Sequence, residues 1–562
     1  MFNETPQTTS EVEEASRAFR FALGLAVLAL VLRLLWAGFV ATTIENEGSY
    51  YARLGQNLAH GRGYLGMREQ GLQLIYPPLF PLLIAAQNVL GIPADIAGRL
   101  ISAIAGAFFV PVAFLLANRL YGLRVARIAA VIATIHPLLV VFGAAVLTEA
   151  LYLTLAWAGV YFAFLARDEE RYGPAISAGI LFGLAYLTRP EAMLLPPLVA
   201  LWLVVFARTE RRPALKRAIA LVATFAVLAT PYVVFLSKST GQLRFEGKTP
   251  EGRLFSKMYS DGMPLSQIYR GLDSDLTERG LSMISNRTMI RMAHLSPREV
   301  LIPMLHSAKS NVPQFLTDLG GGLYFGNPIF FALAVLGLFA TVWDREKLRC
   351  QVLVIAVSAC AILALTSWPY WHERFQFPLC AAFVLWGAAG LVVISDWASA
   401  TLRQAGLSRV GSARGGYFTI GLAVFGMAAL SAAGVRNLDE VSDGWRGLGP
   451  AKEVGLWLRT LSPTPRRIAG SGPTAAFYSG AATTLFPHAA ADVALRYFES
   501  KGVDTIVLRS SAIEEPWVAD WIRDGIPDPR AELVTKITKP DGTTYIIYRF
   551  HAHDRKASET VP

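Results

Sequence analysis

Apolar stretches of membrane-spanning length recur along most of this chain, and they restrict its possible folds more than any other feature. Runs of roughly 17 to 25 apolar residues, the length that crosses a hydrocarbon core about 30 Å thick, follow one another from Phe19 to Gly434. Because 53% of the 562 residues are hydrophobic and only 17% are charged, the composition is too apolar for an ordinary soluble protein. The sequence therefore predicts an α-helical membrane protein that crosses the bilayer many times.

Two long polar stretches interrupt the apolar spans. Both are rich in proline, glycine and charge, and both are predicted to fold in water. The later one has a helical pattern, a short apolar strand and a turn signal at Pro540 to Gly542, which predict a small α/β domain. The predicted parts are a cytoplasmic N-terminus (1–18), a membrane module (19–236), a long extracytoplasmic loop (237–325), a second group of spans (326–434) and the extracytoplasmic α/β domain (435–562).

Short basic loops between the spans set the predicted orientation. They place about eleven crossings in the plasma (inner) membrane, with the basic loops on the cytoplasmic side. The net charge of +10 is then explained by orientation and by attraction to anionic lipid, which argues against a nucleic-acid partner. The clusters are Arg17 and Arg20; Arg119, Arg124 and Arg127; Arg167 and Arg171; Arg208 to Arg217; Arg345, Lys347 and Arg349; and Arg403, Arg409 and Arg414.

One apolar segment does not fit this series. Pro77 to Leu90 is too short to cross the bilayer, and counting it as a span would reverse every later loop. We expect it to be interfacial or re-entrant, because such a segment needs a protein-lined cavity at membrane depth. A cavity is therefore predicted near Tyr76, beside the first outer loop (42–78).

Acidic residues in two segments on the outer side are candidates for catalysis. Glu45 and Glu47 begin a helix pattern in the first outer loop, although acidic residues also favour the positive end of any helix dipole. Glu149 is surrounded by apolar residues where a span emerges, and ionisable groups at that depth usually face a functional cavity. The alternative for Glu149 is a helix cap formed with Thr148.

Two arginines on the same side are candidates for binding an anionic substrate group. Arg189 precedes a proline between two apolar runs, and Arg374 precedes another span. A guanidinium binds phosphate oxygens in a bidentate manner. The alternatives are a structural ion pair with Glu191 for Arg189 and snorkelling for Arg374. His372 with its acidic neighbour is a weak metal signal because further ligands are missing at suitable spacing, so no required metal or other cofactor is predicted.

Taken together and in order, these segments resemble the GT-C superfamily of membrane glycosyltransferases. The resemblance is to the family of protein O-mannosyltransferases and bacterial lipid A aminoarabinose transferases, and it is strongest over residues 42–200. The matching segments are Glu47-x-x-x-Tyr51 with Gln56-Asn57-Leu58-Ala59 and Gly61-x-Gly63-Tyr64, Tyr76-Pro77-Pro78-Leu79, Arg99-Leu100-Ile101-Ser102-Ala103, Thr148-Glu149-Ala150-Leu151, Leu187-Thr188-Arg189-Pro190-Glu191 and Arg374-Phe375-Gln376-Phe377-Pro378.

The resemblance implies an inverting enzyme that takes its sugar from a polyprenyl-phosphate donor on the outer face of the membrane. The acceptor would be a hydroxyl of a lipid, a glycan or a protein. The family's catalytic aspartate maps to Glu47, with Glu149 sharing or assisting its role and with Tyr51, Tyr76 and His372 near the substrates. Glutamate in place of aspartate leaves Glu45 as the alternative.

Two departures from the family narrow the resemblance. Tyr76 stands where the aminoarabinose transferases have a phosphate-contacting lysine, which argues against aminoarabinose as the sugar. The sugar-binding module of eukaryotic O-mannosyltransferases is also missing, so the uncharacterised bacterial branch of the family is the better match.

Two other functional classes compete with an enzyme. A transporter or flippase of a lipid-linked glycan predicts inverted internal repeats and a site at mid-membrane, whereas the unusual polar residues here cluster at one surface. A scaffold for envelope polysaccharide assembly leaves the positions of Glu47 and Glu149 unexplained.

Overall fold

The computed structural model describes residues 9–208, 210–293, 297–321, 328–368, 373–406, 421, 424–426, 449–470, 472–540 and 542–551. Within them, helices form the membrane part and a small mixed sheet forms the C-terminal part. The predicted fold class is thus confirmed: an α-helical, multi-spanning membrane protein with a small C-terminal α/β domain. Two of the crossings predicted from the sequence are placed at 125–147 and 416–434, and most of the latter lies outside the described residues.

Among the described residues, six helices are long and apolar enough to cross a membrane, namely α1, α4, α7, α10, α16 and α17. Four shorter apolar helical segments accompany them. The membrane-part helices are α1 (Thr9–Phe39), α2 (Asn46–Ala59), α3 (Leu79–Val89), α4 (Ala94–Tyr121), α5 (Leu123–Ile135), α6 (Pro137–Phe142), α7 (Glu149–Asp168), α8 (Tyr172–Tyr186), α9 (Leu195–Val205), α10 (Arg211–Thr240), α11 (Lys248–Ser260), α12 (Leu265–Arg270), α13 (Asn286–Met292), α14 (Pro297–Gly321), α15 (Pro328–Phe339), α16 (Arg345–Thr366) and α17 (Cys380–Gln404), with 3₁₀ helices at Pro190–Leu194 and Glu373–Leu379.

The span expected at 125–147 is not one continuous helix. Pro137 has no backbone N–H and restricts the residue before it, so α5 ends and the extended His136 joins it to α6. The carbonyl of Ala133 loses its usual helical donor at this break. The guanidinium of Arg33, fully buried within α1, donates to that carbonyl over 3.3 Å. A charge inside a span is therefore solvated by the backbone groups that a proline has freed.

The segments around the first outer loop are short helices rather than spans. The 11-residue α3 packs on the 14-residue α2, and Gly55 is the point of contact. A Cβ at Gly55 would lie 2.4 Å from the side chain of Ile84, so only glycine lets the two helices approach this closely. α3 covers only about 17 Å at 1.5 Å per residue, which is about half of a hydrocarbon core, as expected for a non-spanning segment.

The C-terminal part is a five-stranded sheet with helices packed against it. Its strand order is β2-β1-β3-β5-β4, with β1 parallel to both of its neighbours and a β4–β5 hairpin at the edge. The hairpin predicted at Pro540 to Gly542 is present, although Asp541 itself lies outside the described residues. The elements are α18 (Gly449–Leu458), β1 (Arg467–Ala469), α19 (Gly472–Ser479), β2 (Ala482–Thr484), α20 (Ala491–Ser500), β3 (Thr505–Arg509), α21 (Pro516–Asp524), β4 (Ala531–Thr538) and β5 (Thr544–Phe550).

This C-terminal domain holds the first outer loop through a buried arginine. Arg53, on α2, donates to the carbonyls of Ala476, Gly480 and Ala481 at 2.9 to 3.1 Å. Only 7% of Arg53 is exposed, so the carbonyls replace the water that its charge has lost. The domain thereby fixes the position of the helix that begins with Asn46 and Glu47.

Candidate active site

Five charged side chains from distant parts of the chain meet in one linked cluster. Arg374 lies 2.5 Å from Glu47 and 2.9 Å from Glu149 (N to O distances). Arg189 lies 2.8 Å from Glu149 and 2.8 Å from Glu191. Glu149 Oε1 is shared by both guanidinium groups. The cluster therefore links α2, the start of α7, the α8–α9 turn and the start of the second 3₁₀ helix.

Glu47 is held in place by its own helix and by the cations around it. It lies in the first turn of α2, and the hydroxyl of Tyr51, one helical turn later, donates to its Oε1 over 3.1 Å. Burial alone favours the neutral carboxyl, but the charges of Arg374 and then Lys248 outweigh it and lower the pKa of Glu47 to about 2. The resting carboxylate is therefore ionised and tightly paired.

Glu149 is the most enclosed member of the cluster. It begins α7 and is 1% exposed. Thr148 occupies the cap position without a side-chain cap hydrogen bond, so the capping alternative is not what the geometry shows. Glu149 Oε2 has no hydrogen-bond partner among the described residues, while Oε1 bridges the two arginines. Oε1 therefore binds the two guanidinium groups, and Oε2 can still accept a hydrogen bond.

Arg189 is positioned by a proline. Pro190 cannot continue α8, and the backbone of Arg189 is extended at φ −145° before the 3₁₀ helix begins. This places the guanidinium between Glu149 and Glu191. The pairing with Glu191 considered from the sequence does exist, and it coexists with the pairing to Glu149.

A small cavity of about 20 Å³ lies where these residues meet. It has room for about one water molecule. Its walls include Glu47, Glu191, Arg189 and Arg374 but not Glu149. Of the two carboxylates that Arg374 contacts, Glu47 is therefore the one that faces open space. Tyr51 and Tyr76 complete one side, with ring centroids 4.9 Å apart. The cavity expected near Tyr76 is present at this position.

Lys248 is a further cation at this site, and the sequence analysis did not single it out. It begins α11 in the long loop and lines the same cavity as Glu47 and Tyr76. Tyr76 carries no charge at this position, and Lys248 supplies a positive charge to the same cavity from another segment. The preceding Gly247 makes this possible, since a Cβ there would lie 1.8 Å from the carbonyl oxygen of Leu74.

Gly247→Ala is expected to displace Lys248 from the cavity, and to lower strongly the transfer activity that the sequence resemblance implies, while the membrane part stays folded. The added methyl group meets backbone of the first outer loop, which cannot move aside as a flexible side chain would, so α11 and Lys248 must shift away from the cavity. Transfer rate per folded molecule is the measurement. Gly247 has an ordinary φ of −108°, so the contact alone distinguishes its variant. Gly262→Ala, in the same loop with open space around it and the added strain of a positive φ of 79°, is the control for a methyl group without that contact. Equal activity of Gly247→Ala and wild type would show that Lys248 is not needed.

Two further expectations from the sequence concern the role of His372 and the absence of a required metal. His372 lies outside the described residues, so its predicted place near the substrates remains a prediction. Among the residues that the structure describes, no group of three or more His, Cys, Asp or Glu side chains is arranged to hold a metal ion. Metal independence likewise stays a prediction.

A family model and several solved structures resemble this chain. Residues 76–235 match the family described as dolichyl-phosphate-mannose-protein mannosyltransferase. No curated protein sequence matches at a significant level. The matched segment contains Tyr76, Glu149 and Arg189, whereas Glu47 and Arg374 lie outside it.

The solved structures share the architecture over nearly the whole chain. ArnT from Cupriavidus metallidurans in the apo state has a TM-score of 0.58 at 13% identity, with 93% of this chain and 97% of that one covered. The Archaeoglobus fulgidus oligosaccharyltransferase tethered to an acceptor peptide has a TM-score of 0.56 at 14% identity, with 96% and 74% covered. The mycobacterial arabinofuranosyltransferase AftD has a TM-score of 0.51 at 13% identity, with 95% and 42% covered.

At these identities the likeness establishes a shared fold. ArnT and AglB, the oligosaccharyltransferase of Archaeoglobus fulgidus, have also been solved with undecaprenyl phosphate and with dolichol-phosphate respectively. The chain therefore has the fold of these membrane glycosyltransferases, and its residues 76–235 are similar to the mannosyltransferase family.

Proposed function

We propose that this protein moves a monosaccharide from a polyprenyl-phosphate donor to an acceptor hydroxyl on the extracytoplasmic side of the membrane, with inversion at the anomeric carbon. The observation that carries the proposal is the pairing of Glu47 with Arg374 at the edge of a cavity that Arg189 and Lys248 also line. A carboxylate beside three cations suits a reaction that removes a proton from one partner and leaves a phosphate on the other.

A second and larger cavity adjoins the cluster and suits the donor. It has a volume of about 260 Å³ and shares Arg189, Glu191 and Lys248 with the small cavity. Apolar side chains from α14, α16 and the first 3₁₀ helix form much of its wall, including Met304, Leu365 and Met193. An isoprenoid phosphate combines an apolar chain with one charged group, and this cavity offers both kinds of surface.

Arg253 supports the same assignment. It lines the donor cavity and is 5% exposed, and its Nε and Nη1 have no hydrogen-bond partner among the described residues. A buried guanidinium with unsatisfied donors is costly unless an anion occupies the site. A phosphate group supplies the missing acceptors.

The proposed reaction is a single displacement. The acceptor hydroxyl attacks the anomeric carbon while Glu47 takes its proton, and the bond from that carbon to the phosphate oxygen breaks. The electron pair leaves with the polyprenyl phosphate, whose charge is stabilised by Arg189, Arg374 and Lys248. Attack opposite the leaving phosphate inverts the anomeric configuration.

Glu149 acts in this scheme by positioning the arginines. It does not line the small cavity and its Oε1 contacts both guanidinium groups. Glu47 becomes a stronger base when donor phosphate draws Arg374 away from it, because that ion pair is a main reason for the low pKa of Glu47. Donor binding therefore prepares the base.

The test uses the full chain in lipid nanodiscs with a panel of undecaprenyl-phosphate monosaccharides. Binding of undecaprenyl phosphate and release of it from the sugar-bearing donor are measured separately. Both binding and release are expected. Neither measurement requires a known acceptor, since water slowly takes the place of the acceptor. A protein that neither binds the lipid phosphate nor consumes any donor of the panel contradicts the proposed function.

The orientation is a separate prediction. Single cysteines at Arg62, Asp275 and Gly502, all on exposed positions of the first loop, the long loop and the C-terminal domain, should react with a membrane-impermeant maleimide from outside. A cysteine at Arg212 should react only after permeabilisation. The half-buried native Cys360 is replaced beforehand to remove background. External labelling at Arg212 would place the charge cluster on the cytoplasmic side.

A further inference from the structure

We infer that the acceptor is a saccharide, and that its ring lies in a third, polar cavity between the first outer loop and the long loop. The inference rests on the proposed function and specifies one of its two substrates. The cavity has a volume of about 170 Å³. That is room for roughly ten water-sized groups, which is about the number of heavy atoms in one hexose ring.

The cavity lies at the right place relative to the donor. It shares Ile75 and Tyr76 with the small cavity that Glu47 faces, and it shares no lining residue with the donor cavity. The small cavity thus joins an apolar, cation-rich compartment to a polar one. A hydroxyl that extends from the polar side past Tyr76 reaches Glu47, while the donor phosphate approaches from the other side.

The chemistry of the walls suits a sugar. More than half of the lining side chains are polar, and Gln70, Gln73 and Asn286 carry amides that both donate and accept hydrogen bonds. Every sugar hydroxyl does the same, so the two sets complement each other. The rings of Tyr50 and Tyr76, with centroids 6.2 Å apart, add aromatic surface for the apolar face of a pyranose.

Two charged groups in this cavity are arranged for a ligand. Arg68 donates to the hydroxyl of Tyr50 over 3.4 Å and to the carbonyl of Ser282, but its buried Nε has no partner among the described residues. Glu251 lines the same cavity one helical turn after Lys248. α11 therefore presents a cation to the donor side and a carboxylate to the acceptor side.

Other acceptor classes fit these walls less well. The acyl chains of a lipid acceptor need a continuous apolar surface, which the donor cavity has and this one lacks. A peptide acceptor bound as an added strand or along a groove needs an open, elongated surface, whereas this site is a compact pocket between two loops. The observations therefore favour a glycan, whether free or attached to a larger carrier.

The experiment follows the sugar from donor to product. Envelope membranes containing the full-length protein and radiolabelled polyprenyl-phosphate sugar are separated into glycan, lipid and protein after transfer, and the residue bearing the label is identified. Label on a saccharide hydroxyl is expected. Label on an amino-acid side chain or on a non-sugar lipid group would overturn the inference while leaving the proposed function standing.

Variants at the cavity provide the second arm. Ser282→Trp fills the pocket and Glu251→Gln removes its charge, and each is expected to lower transfer to the saccharide at least tenfold while undecaprenyl phosphate binding is unchanged. Ser274→Trp, exposed on the same loop, is the matched control and should transfer normally. Unchanged transfer in both cavity variants contradicts the inference. If the wild-type protein itself neither binds undecaprenyl phosphate nor consumes donor, the proposed function is refuted instead.

Discussion

The Glu47→Gln variant is expected to transfer sugar more slowly than wild type by a factor of about 10² to 10⁴, the usual cost of losing a positioned base. This factor corresponds to roughly 3 to 5 kcal/mol of activation free energy at about 1.4 kcal/mol per tenfold. Glutamine keeps the size of the side chain, and its carbonyl oxygen still accepts a hydrogen bond from Tyr51 or Arg374, so insertion, folding and donor binding should persist. The rate of transfer from an undecaprenyl-phosphate sugar in nanodiscs, normalised to bound donor, is the measurement.

Glu45→Gln is the matched control for that experiment. Glu45 precedes α2, is 8% exposed and accepts a hydrogen bond from the backbone N–H of Val146 over 3.1 Å, a role that a glutamine oxygen also fills. It does not line the small cavity. Near wild-type transfer by Glu47→Gln, combined with an inactive Glu45→Gln or Glu149→Gln, would show that the base has been assigned to the wrong carboxylate.

Arg374→Ala is the change with the second largest expected effect. A lost charge-assisted hydrogen bond to phosphate costs about 1.5 to 3 kcal/mol, so undecaprenyl phosphate should bind about 10- to 100-fold more weakly. Transfer should fall further, by about 10² to 10³, because the leaving phosphate also loses its stabilisation. Arg189→Ala should behave similarly. In each single variant the other arginine remains on Glu149, and the protein should stay folded.

The double variant Arg189→Ala/Arg374→Ala tests whether the two arginines also stabilise the fold. With both arginines replaced, Glu149 is a buried charge without its two cations, which typically costs about 3 to 5 kcal/mol of stability, and a marked loss of thermal stability is expected. Arg270→Ala is the control, since Arg270 pairs at 3.0 Å with the buried Glu515 outside the site. If both single variants keep full affinity for undecaprenyl phosphate, the arginines are structural ion-pair partners only.

The fold was largely predictable because its main signals are local. Apolar runs, the short segment after Tyr76 and the Pro540 to Gly542 turn each report on their own stretch of chain. The break at Pro137 was missed because hydropathy averaged over a window does not register one absent N–H. The end of α5 depends on the one N–H that Pro137 lacks. Its consequence for Arg33 depends on α1, a different helix.

The site was only partly predictable. Glu47, Glu149, Arg189 and Arg374 were singled out because each is a charge beside an apolar span, and the structure brings them within hydrogen-bond distance; their roles remain predictions. Lys248 gave no such signal, as it is one of many polar residues in a long loop. What places it at the cavity is the backbone contact of Gly247 with Leu74, which sequence spacing does not encode.

The buried arginine on α2 has a consequence for the biosynthesis of the protein. Arg53 hydrogen-bonds to Gly480, a residue 427 positions later. At about 5 to 20 residues per second of translation, roughly 20 to 90 s pass before that partner emerges. During this interval the carbonyls that accept hydrogen bonds from Arg53 have not yet been synthesised. We therefore expect a chain truncated before Gly480 to leave the helix that bears Glu47 without its contact to the C-terminal domain, even when the membrane part is complete.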